Sequence, residues 1–383
     1  MFRPFICWFQ IAWACVVLGL LTQPCCADNV SSLVDQLRSV DVNGGGHTQA
    51  ISAWQTLAQS DADQLGDILP GLDGAGPLAA NWIRAALDTI AEREWKRSGT
   101  LPLVTLEAHI EDRSRDPRGR RWAYEWLVRL QPDAADRWLP NLLDDPSLEL
   151  RRDAVARVLV TARELEGEGK KAGAISAFNR AFRAARDLDQ VQLIVDELEA
   201  LDVEVDLLQH FGFLVDWYLI GPFDSTGGVG FDATYPPEES VELGAKLPGK
   251  SDDVSWSAHV TDDSFGKIDL NTKLGKHKGS VAYAYTEFIA SEPRDVQLRL
   301  GSSNANKVWL NGELLTANDV YHAGMELDQY RAKAQLRAGS NAILVKVCQN
   351  EQTESWTQRW SFQLRVCDAQ GTAVLPVTAP GGN

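Results

Sequence analysis

The sequence predicts a multidomain α and β protein, with an N-terminal stack of α-helical repeats followed by an antiparallel β-sandwich. From Val30 to about His210, apolar residues recur at spacings of three and four, which is the period of a helix. After Phe211 they alternate, and Trp, Tyr, Thr and Val lie between clusters of Gly, Asn, Asp and Pro, as is typical of strands. The chain has 383 residues, which is too many for one ordinary core, so two domains are expected.

The first 27 residues have the features of a secretory signal. An apolar run from Ile11 to Leu21 follows Arg3, and small residues precede the end of the segment at Ala27. The run is shorter than the roughly 18 residues that a membrane-spanning helix needs. We therefore predict that residues 1–27 are cleaved, that no integral membrane span remains, and that the protein is secreted or periplasmic. An uncleaved membrane anchor is the alternative.

Charge and cysteine content narrow the range of partners. Without residues 1–27 the chain keeps 36 basic and 53 acidic residues, a net charge of −17, and this field repels nucleic acid. Cys348 and Cys367 are the two cysteines that follow residue 27. Each ends one of two successive predicted antiparallel strands, so the two cysteines lie at opposite ends of that strand pair. Their Cα atoms are then further apart than the roughly 7 Å that a disulfide allows. Two free thiols are predicted, although export would permit a disulfide.

The helical domain is predicted to span residues 28–210. Turn residues gather at 43–46, 69–71 and 144–146, between segments of helical period. Trp122 and Trp126 share one helix face, and such a stripe is more typical of a core than of a cofactor site.

Two segments of this domain are similar to known helical repeats. Residues 142–156 resemble a HEAT repeat, because an Asp-Pro turn precedes an arginine and an alanine-rich helix. Residues 172–201, with Ala177-Phe178 and Ala181-Phe182, resemble a tetratricopeptide-like hairpin. Either resemblance implies a short stack of helix pairs whose curved outer surface suits protein binding.

The second domain is predicted to span residues 211–370, followed by a disordered tail at residues 371–383. Nine short candidate strands without intervening helices indicate a sandwich. They are residues 215–220, 254–259, 281–290, 296–300, 307–310, 313–315, 330–336, 342–348 and 359–366.

The strongest local signal in this domain is a hairpin turn at Asn311-Gly312. An Asn-Gly pair between two apolar runs favours a type I′ turn, which needs positive φ at both central residues. The alternation places Val308 and Leu310 on one face and Trp309 on the other. If the two aliphatic residues face the core, Trp309 points outward and needs a cover, which is the helical domain, another protein or a ligand.

Three segments of the second domain resemble a known module. They are Val-Trp-Leu-Asn-Gly at 308–312, Tyr-His-Ala-Gly at 321–324 and Leu-Arg-Ala-Gly-Ser-Asn-Ala-Ile-Leu-Val-Lys-Val at 336–347. Together they look like the galactose-binding-like jelly roll that serves as the sugar-binding domain of family 2 glycoside hydrolases. The resemblance covers roughly residues 211–367.

This resemblance implies a fold and a binding habit, and it transfers no activity. The hydrolases carry their catalytic glutamates on a separate barrel domain, for which this chain has no length left. The aromatic loop of the family is matched only in part, since residues 325–329 read Met-Glu-Leu-Asp-Gln. Modules of this type often hold calcium through loop carboxylates. Asp224 and Asp232 flank a glycine loop and are the candidate metal ligands, with ordinary turn aspartates as the alternative.

The sequence contains no recognised catalytic motif, which predicts a protein that is not an enzyme. The six histidines are scattered without a ligand spacing, and no Gly-x-Ser-x-Gly elbow occurs. No cofactor is expected other than the possible structural calcium. Carboxylates are abundant, and a pair of them acting as general acid and base is the alternative that would make the chain an enzyme.

Aromatic residues at loop ends are the candidate ligand contacts, because sugar faces stack on such rings while nearby polar groups bond the hydroxyls. They are Trp309, Trp356, Tyr321 and Tyr330. Trp360 shares the parity of Phe362 and Leu364 and is predicted to belong to the core.

Three functions follow from these observations. The first is an exported, non-catalytic binding protein, whose jelly roll recognises carbohydrate or a cell-surface polymer and whose helical repeats bind another protein. The second is a structural spacer or assembly component of a cell-envelope complex, favoured if Trp309 and Trp356 are both covered by the chain itself. The third is a glycan-active hydrolase, or an accessory part of one.

Overall fold

A computed structural model describes residues 30–377, so the predicted signal at residues 1–27 lies outside the described residues. The chain divides into two compact units, Met1–Ala135 and Asp136–Asn383. The predicted fold class is confirmed, because a helical region precedes a region of antiparallel sheets. Within the described part of the chain, no helix is both long and apolar enough to cross a membrane.

The first unit is helical and packs around its own apolar core. Its helices are α1 (Val30–Arg38), α2 (His47–Leu57), α3 (Leu65–Ile68), α4 (Pro77–Ser98), α5 (Leu103–Glu111) and α6 (Pro117–Leu130). Helix α4 begins at a proline, whose missing N–H costs nothing in the first turn, and ends at Gly99 with φ of 74°. Trp122 and Trp126 are buried, which confirms that their shared face belongs to the core.

The second unit opens with further helices. They are α7 (Ala134–Trp138), which begins at the boundary between the units, α8 (Leu148–Gly167), α9 (Lys171–Ala184), α10 (Leu188–Ala200) and α11 (Leu207–Phe211). The side chain of Ser147 accepts a hydrogen bond from Leu150 N and caps α8. Phe178, Ile194 and Phe211 lie in a buried cluster that continues into the sandwich through Phe213.

The remainder of the second unit consists mainly of strands. They are β1 (Asp216–Asp224), β2 (Lys246–Pro248), β3 (Asp253–Ser255), β4 (Ser257–Val260), β5 (Ile268–Asp269), β6 (Ser280–Ala290), β7 (Arg294–Ser302), β8 (Ala305–Leu310), β9 (Glu313–Asn318), β10 (Tyr330–Leu336), β11 (Gly339–Gln349) and β12 (Ser361–Cys367). The short helices α12 (Pro236–Glu239) and α13 (Leu270–Leu274) interrupt them.

Two antiparallel sheets form the sandwich. One has the strand order β4-β1-β6-β11-β8-β9, and the other has the order β10-β7-β12-β5. Alternate residues of both sheets meet in one buried cluster, as expected for strands with one face on a core. Trp217, Val308, Leu310, Val345, Trp360 and Phe362 belong to it. The predicted core position of Trp360 is confirmed.

The Asn311-Gly312 turn joins β8 to β9 as predicted. Asn311 has φ of 53° and Gly312 has φ of 83°, which are the two positive values that the turn requires. Val308 and Leu310 point into the sandwich, and Trp309 lies in a separate cluster on the outer face of the six-stranded sheet. Trp309 therefore points outward, as its parity predicts.

A segment of the second unit covers that outer face. Residues 225–256 run between β1 and β4, and we call them the strap. Phe231, Tyr235 and Val241 of the strap pack against the cluster that contains Trp309. Only 9% of Trp309 is exposed as a result. The strap, which belongs to the same unit, therefore covers Trp309. The sequence predicts the helical domain, another protein or a ligand as the cover, because the alternation of β8 alone does not reveal the strap.

Both cysteines after residue 27 are buried free thiols, as predicted. Cys348 lies in β11 of the six-stranded sheet, whereas Cys367 ends β12 of the other sheet. Residues 371–377 fall within the tail that the sequence predicted to be disordered, yet they pack on the sandwich. Val374 is buried, and its N–H donates to the Val366 carbonyl at 2.9 Å. The last six residues, 378–383, lie outside the described residues.

Candidate ligand-binding site at the loop end of the sandwich

One end of the sandwich gathers the loops that carry the candidate ligand contacts. Strands β1 and β11 end there, and β6 and β8 begin there, because Ser280 pairs with both Asp224 and Gln349. We call this the loop end. Residues 350–358, which we call the Trp356 loop, join β11 to β12 across it. Loops on a rigid scaffold commonly carry binding residues.

Trp356 is the most exposed aromatic ring at the loop end. Its relative exposure is 62%, whereas Trp360, four residues later, is fully buried. The imidazole of His322 meets the indole edge to face, with ring centroids 5.1 Å apart and planes at 82°. One side of the indole is thus supported, and much of the remaining ring surface faces solvent.

Internal hydrogen bonds hold the Trp356 loop in shape. The hydroxyl of Thr357 donates to the carbonyls of Gln352 and Glu354, at 2.9 and 2.8 Å. The amide of Gln358 donates to the Thr353 carbonyl at 2.7 Å. From outside the loop, Lys278 Nζ donates to the Thr357 carbonyl at 2.9 Å. A loop braced in this way loses little conformational entropy when a ligand binds.

His322 links the Trp356 loop to the loop that follows β9. Its backbone N–H donates to the Ser303 carbonyl at 2.7 Å, and its φ is 58°. Its Nε2 lies 2.8 Å from Nδ2 of Asn350. Because an amide nitrogen only donates, Nε2 is the acceptor of this bond. The same amide nitrogen also donates to Oε1 of Gln352 at 3.1 Å, and Asn350 Oδ1 accepts from Gln352 N at 3.2 Å.

Buried ion pairs fix the C-terminal part of the loop that contains His322, residues 319–329 between β9 and β10. The carboxylate of Asp328 lies 2.6 Å from Arg299 Nη1 and 2.6 Å from Arg365 Nε. Burial raises the pKa of Asp328, but the hydrogen bonds and charges of Arg365 and Arg299 outweigh burial and lower it. Asp328 therefore anchors this end of the loop to β7 through Arg299 and to β12 through Arg365.

A cleft of about 450 Å³ opens beside the Trp356 loop. Lys267, Asp269, Asn271, Met325, Gln358, Arg359, Trp360 and Ser361 line it. Asn271 Nδ2 donates to the Gln358 carbonyl at 2.9 Å, which joins the segment around α13 to the Trp356 loop. The loop end thus combines an exposed indole, amide groups and a neighbouring polar cleft.

Tyr321 packs against the cluster that contains Trp309, and His322 lies between it and Trp356, whereas Tyr330 lies elsewhere. Tyr321 neighbours His322, with ring centroids 6.1 Å apart. Burial raises the pKa of Tyr321, and its buried hydroxyl has no hydrogen-bond partner within residues 30–377. Tyr330 packs instead against the core between the sheets, and its hydroxyl accepts from Gln329 at 3.4 Å.

Trp309 lies in a row of side chains that crosses the outer face of the six-stranded sheet. Strand register aligns Tyr218, Tyr285, Leu344, Trp309 and Leu314 across five strands. A cleft of about 300 Å³ is lined by Trp309, Tyr285 and Leu344, with strap residues at its rim. Burial and a hydrogen bond to Glu287 raise the pKa of Tyr285 to about 12. Trp309 is consequently a wall of a narrow cleft rather than an open platform.

The carboxylate of Asp224 is engaged by protein groups. It accepts from the Thr226 hydroxyl at 2.7 Å and lies 3.3 Å from Lys250 Nζ, and these contacts lower its pKa. Asp232 is exposed on the strap. Within residues 30–377, no group of three or more His, Cys, Asp or Glu side chains is placed to hold a metal ion. The ammonium group beside Asp224 repels a cation, so these donors do not fit the calcium that the resemblance implies.

Several residues of the loop end do not stand out in the sequence. His322 reads as one of six scattered histidines, and its role depends on a contact with a loop that lies about thirty residues later. Lys267 and Arg359 meet at the cleft although they are distant in sequence. One feature of the sequence does point to a charged site here, which is the density of lysine in residues 267–279, at positions 267, 273, 276 and 278.

Comparison with known proteins gives only partial structural likenesses. No protein-family model and no curated protein matches the chain. A β-glucosidase from Kluyveromyces marxianus in complex with glucose is 17% identical, over 39% of this chain and 16% of that chain, with a TM-score of 0.25. A GH31 α-xylosidase from Xanthomonas citri is 11% identical over 41% and 16%, with a TM-score of 0.19. A β-glucuronidase from an uncultured Clostridium sp. is 11% identical over 41% and 29%, with a TM-score of 0.23. The chain spans less than a third of each enzyme, and these likenesses assign no activity to it.

Proposed function

We propose that this chain is an exported, non-catalytic binding protein that recognises carbohydrate or another cell-surface polymer at the loop end of its sandwich. In this proposal the sandwich is a galactose-binding-like jelly roll. The helical region is a stack of HEAT-like or tetratricopeptide-like repeats that binds a protein partner.

The exposure of Trp356 on a braced loop is the observation that carries the proposal. A tryptophan side chain offers a large apolar surface, and leaving most of it in water forgoes the free energy that burial supplies. The loop that carries this ring is held by three side-chain donors, Lys278, Thr357 and Gln358, which lie 2.7 to 2.9 Å from its carbonyl oxygens. Such an arrangement suits a planar, partly apolar ligand face, and the C–H face of a sugar ring is one.

Polar groups near the indole supply the second requirement of sugar recognition. The amide of Asn350 is engaged in the loop, since Nδ2 donates to His322 and to Gln352 Oε1 and Oδ1 accepts from Gln352 N. The amide nitrogen of Gln352 makes no hydrogen bond within residues 30–377, so it is a donor that can orient the hydroxyl of a sugar ring stacked on Trp356.

A polysaccharide-retention measurement tests the proposal. Wild-type protein should be retained by some members of a broad glycan panel, and Trp356→Ala should lose that retention while remaining folded by circular dichroism. Leu314→Ala is the matched control, because Leu314 is also apolar and 48% exposed but lies on β9 away from the loop end. Absence of retention across the panel counts against the proposal, and release of reducing ends counts against its non-catalytic part.

A structural spacer of the cell envelope is the second candidate. The observation that favours it is the cover over Trp309, since the strap closes the outer face of the six-stranded sheet there. The exposed Trp356 does not meet the other half of the condition set for this function. A spacer predicts no glycan retention by wild-type protein, together with stable incorporation into an envelope complex in which Trp356 is shielded from collisional quenchers.

A further inference from the structure

A concentration of positive charge lies at the loop end of an otherwise acidic protein. Residues 267–279 contain four lysines and one acidic residue, Asp269, while the whole chain has a net charge of −16. Arg359 adds a fifth cation at the start of the segment that leads into β12. The Trp356 loop carries two exposed carboxylates, Glu351 and Glu354, so residues 267–279 and 350–359 together hold five cations and three carboxylates. The local sign of charge is thus still opposite to that of the molecule.

These cations are not neutralised by the protein. Within residues 30–377, none of Lys267, Lys273, Lys276, Lys278 and Arg359 makes an ion pair. Lys278 donates to the Thr357 carbonyl and Lys273 to the Val260 carbonyl. The head groups of Lys267, Lys276 and Arg359 have no hydrogen-bond partner in the described part of the chain. Because their head groups make neither an ion pair nor a hydrogen bond within these residues, these three cations are available to an anion.

Two of the three free cations line the cleft beside the Trp356 loop. Lys267 and Arg359 both border the space of about 450 Å³, and Gln358 belongs to this cleft and to the loop. Asp269 also borders it, but its two carboxylate oxygens accept from Asn271 N and from the Thr272 hydroxyl, at 3.0 and 3.1 Å. The carboxylate is therefore turned towards the start of α13, and the cleft carries two cations against this one acidic group.

We propose that the polymer recognised at the loop end is an anionic polysaccharide. A carboxylate or sulfate group of one sugar binds in the cleft between Lys267 and Arg359, and the ring of a neighbouring sugar stacks on Trp356. Guanidinium and ammonium groups make charge-assisted hydrogen bonds with such anions, and these are stronger than bonds between neutral groups. The inference rests on the proposed function, since it names the ligand class of the same site.

Affinity electrophoresis of the full mature protein tests this assignment with defined probes. Polygalacturonate supplies carboxylates, chondroitin sulfate supplies carboxylates and sulfates, and dextran and xylan serve as neutral polymers. We expect retardation by at least one anionic polymer that weakens as salt is added, because salt screens exposed charges. Lys267→Glu combined with Arg359→Glu should weaken that binding by about tenfold or more. Trp356→Ala should weaken it as well.

A charge-matched control separates local contact from overall charge. Lys333→Glu combined with Arg337→Glu makes the same change of charge on exposed residues at and beyond β10, away from the loop end, and should leave the binding unchanged. If the protein binds only the neutral polymers, and the Lys267→Glu, Arg359→Glu variant binds them equally well, the anionic assignment is overturned. The proposed function is then left intact.

The remaining outcomes are equally distinct. Binding to chondroitin sulfate that Trp356→Ala does not change, or equal binding to duplex DNA, indicates simple ion exchange and overturns the assignment. Failure to bind any polysaccharide overturns the proposed function and the assignment with it.

Discussion

The ammonium nitrogen of Lys346 lies 2.8 Å from Oε1 of Glu238, and this contact fastens the strap to the six-stranded sheet. Lys346 has no exposed surface. Its Nζ also donates to the Ala233 carbonyl at 2.6 Å and to the Phe231 carbonyl at 3.3 Å, so its three protons have partners. Burial lowers the pKa of Lys346, and the hydrogen bond and charge of Glu238 oppose that shift.

Lys346→Met should lower the free energy of unfolding by about 3 kcal/mol, because it removes the cation beside Glu238, whose side chain is 12% exposed and keeps the Tyr283 hydroxyl as a donor. Urea denaturation followed by tryptophan fluorescence measures this. Lys333→Met, on an exposed position of β10, is the control and should change stability by no more than about 0.5 kcal/mol. Combining Lys346→Met with Glu238→Leu should recover part of the loss. Equal midpoints for wild type and Lys346→Met would show that the pair does not hold the strap.

Trp356 and Trp360 should respond oppositely to truncation although they are four residues apart. Trp360 is fully buried, and its indole N–H donates to the Val347 carbonyl at 3.2 Å. Trp360→Ala should therefore cost about 3 to 5 kcal/mol of stability. Trp356→Ala should change stability by no more than about 0.5 kcal/mol while removing polysaccharide binding. Calorimetry of the two variants checks the first part, and a large loss of stability in Trp356→Ala would mean that its role is structural.

His322 should matter for binding through its ring and for folding through its backbone. At φ of 58° an alanine is strained, whereas asparagine tolerates this region. His322→Asn should keep the backbone but remove the edge contact with Trp356, so it should weaken polysaccharide binding by about fivefold with little change in stability. His322→Ala should lose stability in addition. Identical binding by wild type and His322→Asn would contradict a supporting role for the ring.

His210 should make the protein less stable in mild acid. Its ring packs on Phe182 at 4.3 Å, and burial, followed by the charge of Arg186, lowers its pKa from 6.5 to about 4. Between these values the unfolded chain binds a proton that the folded chain does not. The contribution of neutral His210 to the free energy of unfolding is therefore complete above pH 6.5. It is lost as the pH falls towards 4, by about 3 kcal/mol in total.

Urea denaturation of wild type and His210→Leu, repeated over this range, measures the difference. The variant should have a shallower dependence on pH, because the titrating ring is gone. Parallel curves for the two proteins would assign the acid sensitivity to other groups.

Local patterns in the sequence predict much of the sandwich. The Asn311-Gly312 pair fixes the hairpin because few residues accept positive φ, and the parity of β8 then places Val308 inside and Trp309 outside. The last strands follow from alternation for the same reason. These signals depend on residues close together in the chain.

The strap and the loop end depend instead on residues that are far apart. Lys346 has the outward parity of a solvent-facing residue, and its burial depends on Glu238, which lies 108 positions earlier. The sequence predicts Trp356 as a ligand contact because it lies in a loop, where strand alternation does not assign it to a core. The contact of Trp356 with His322, and the place of Lys267 and Gln358 in one cleft, require the arrangement of three loops, which no local pattern encodes.

The position of the strap in the chain has a consequence for biogenesis. Residues 225–256 leave the ribosome before β6, β8 and β11, which together form the surface that they cover. Until β11 is made, Glu238 lacks its lysine, and Phe231 and Tyr235 have no sheet to pack against. The nascent protein therefore exposes an aromatic segment throughout the synthesis of roughly the next hundred residues, and this is the interval in which a holding chaperone has most to protect.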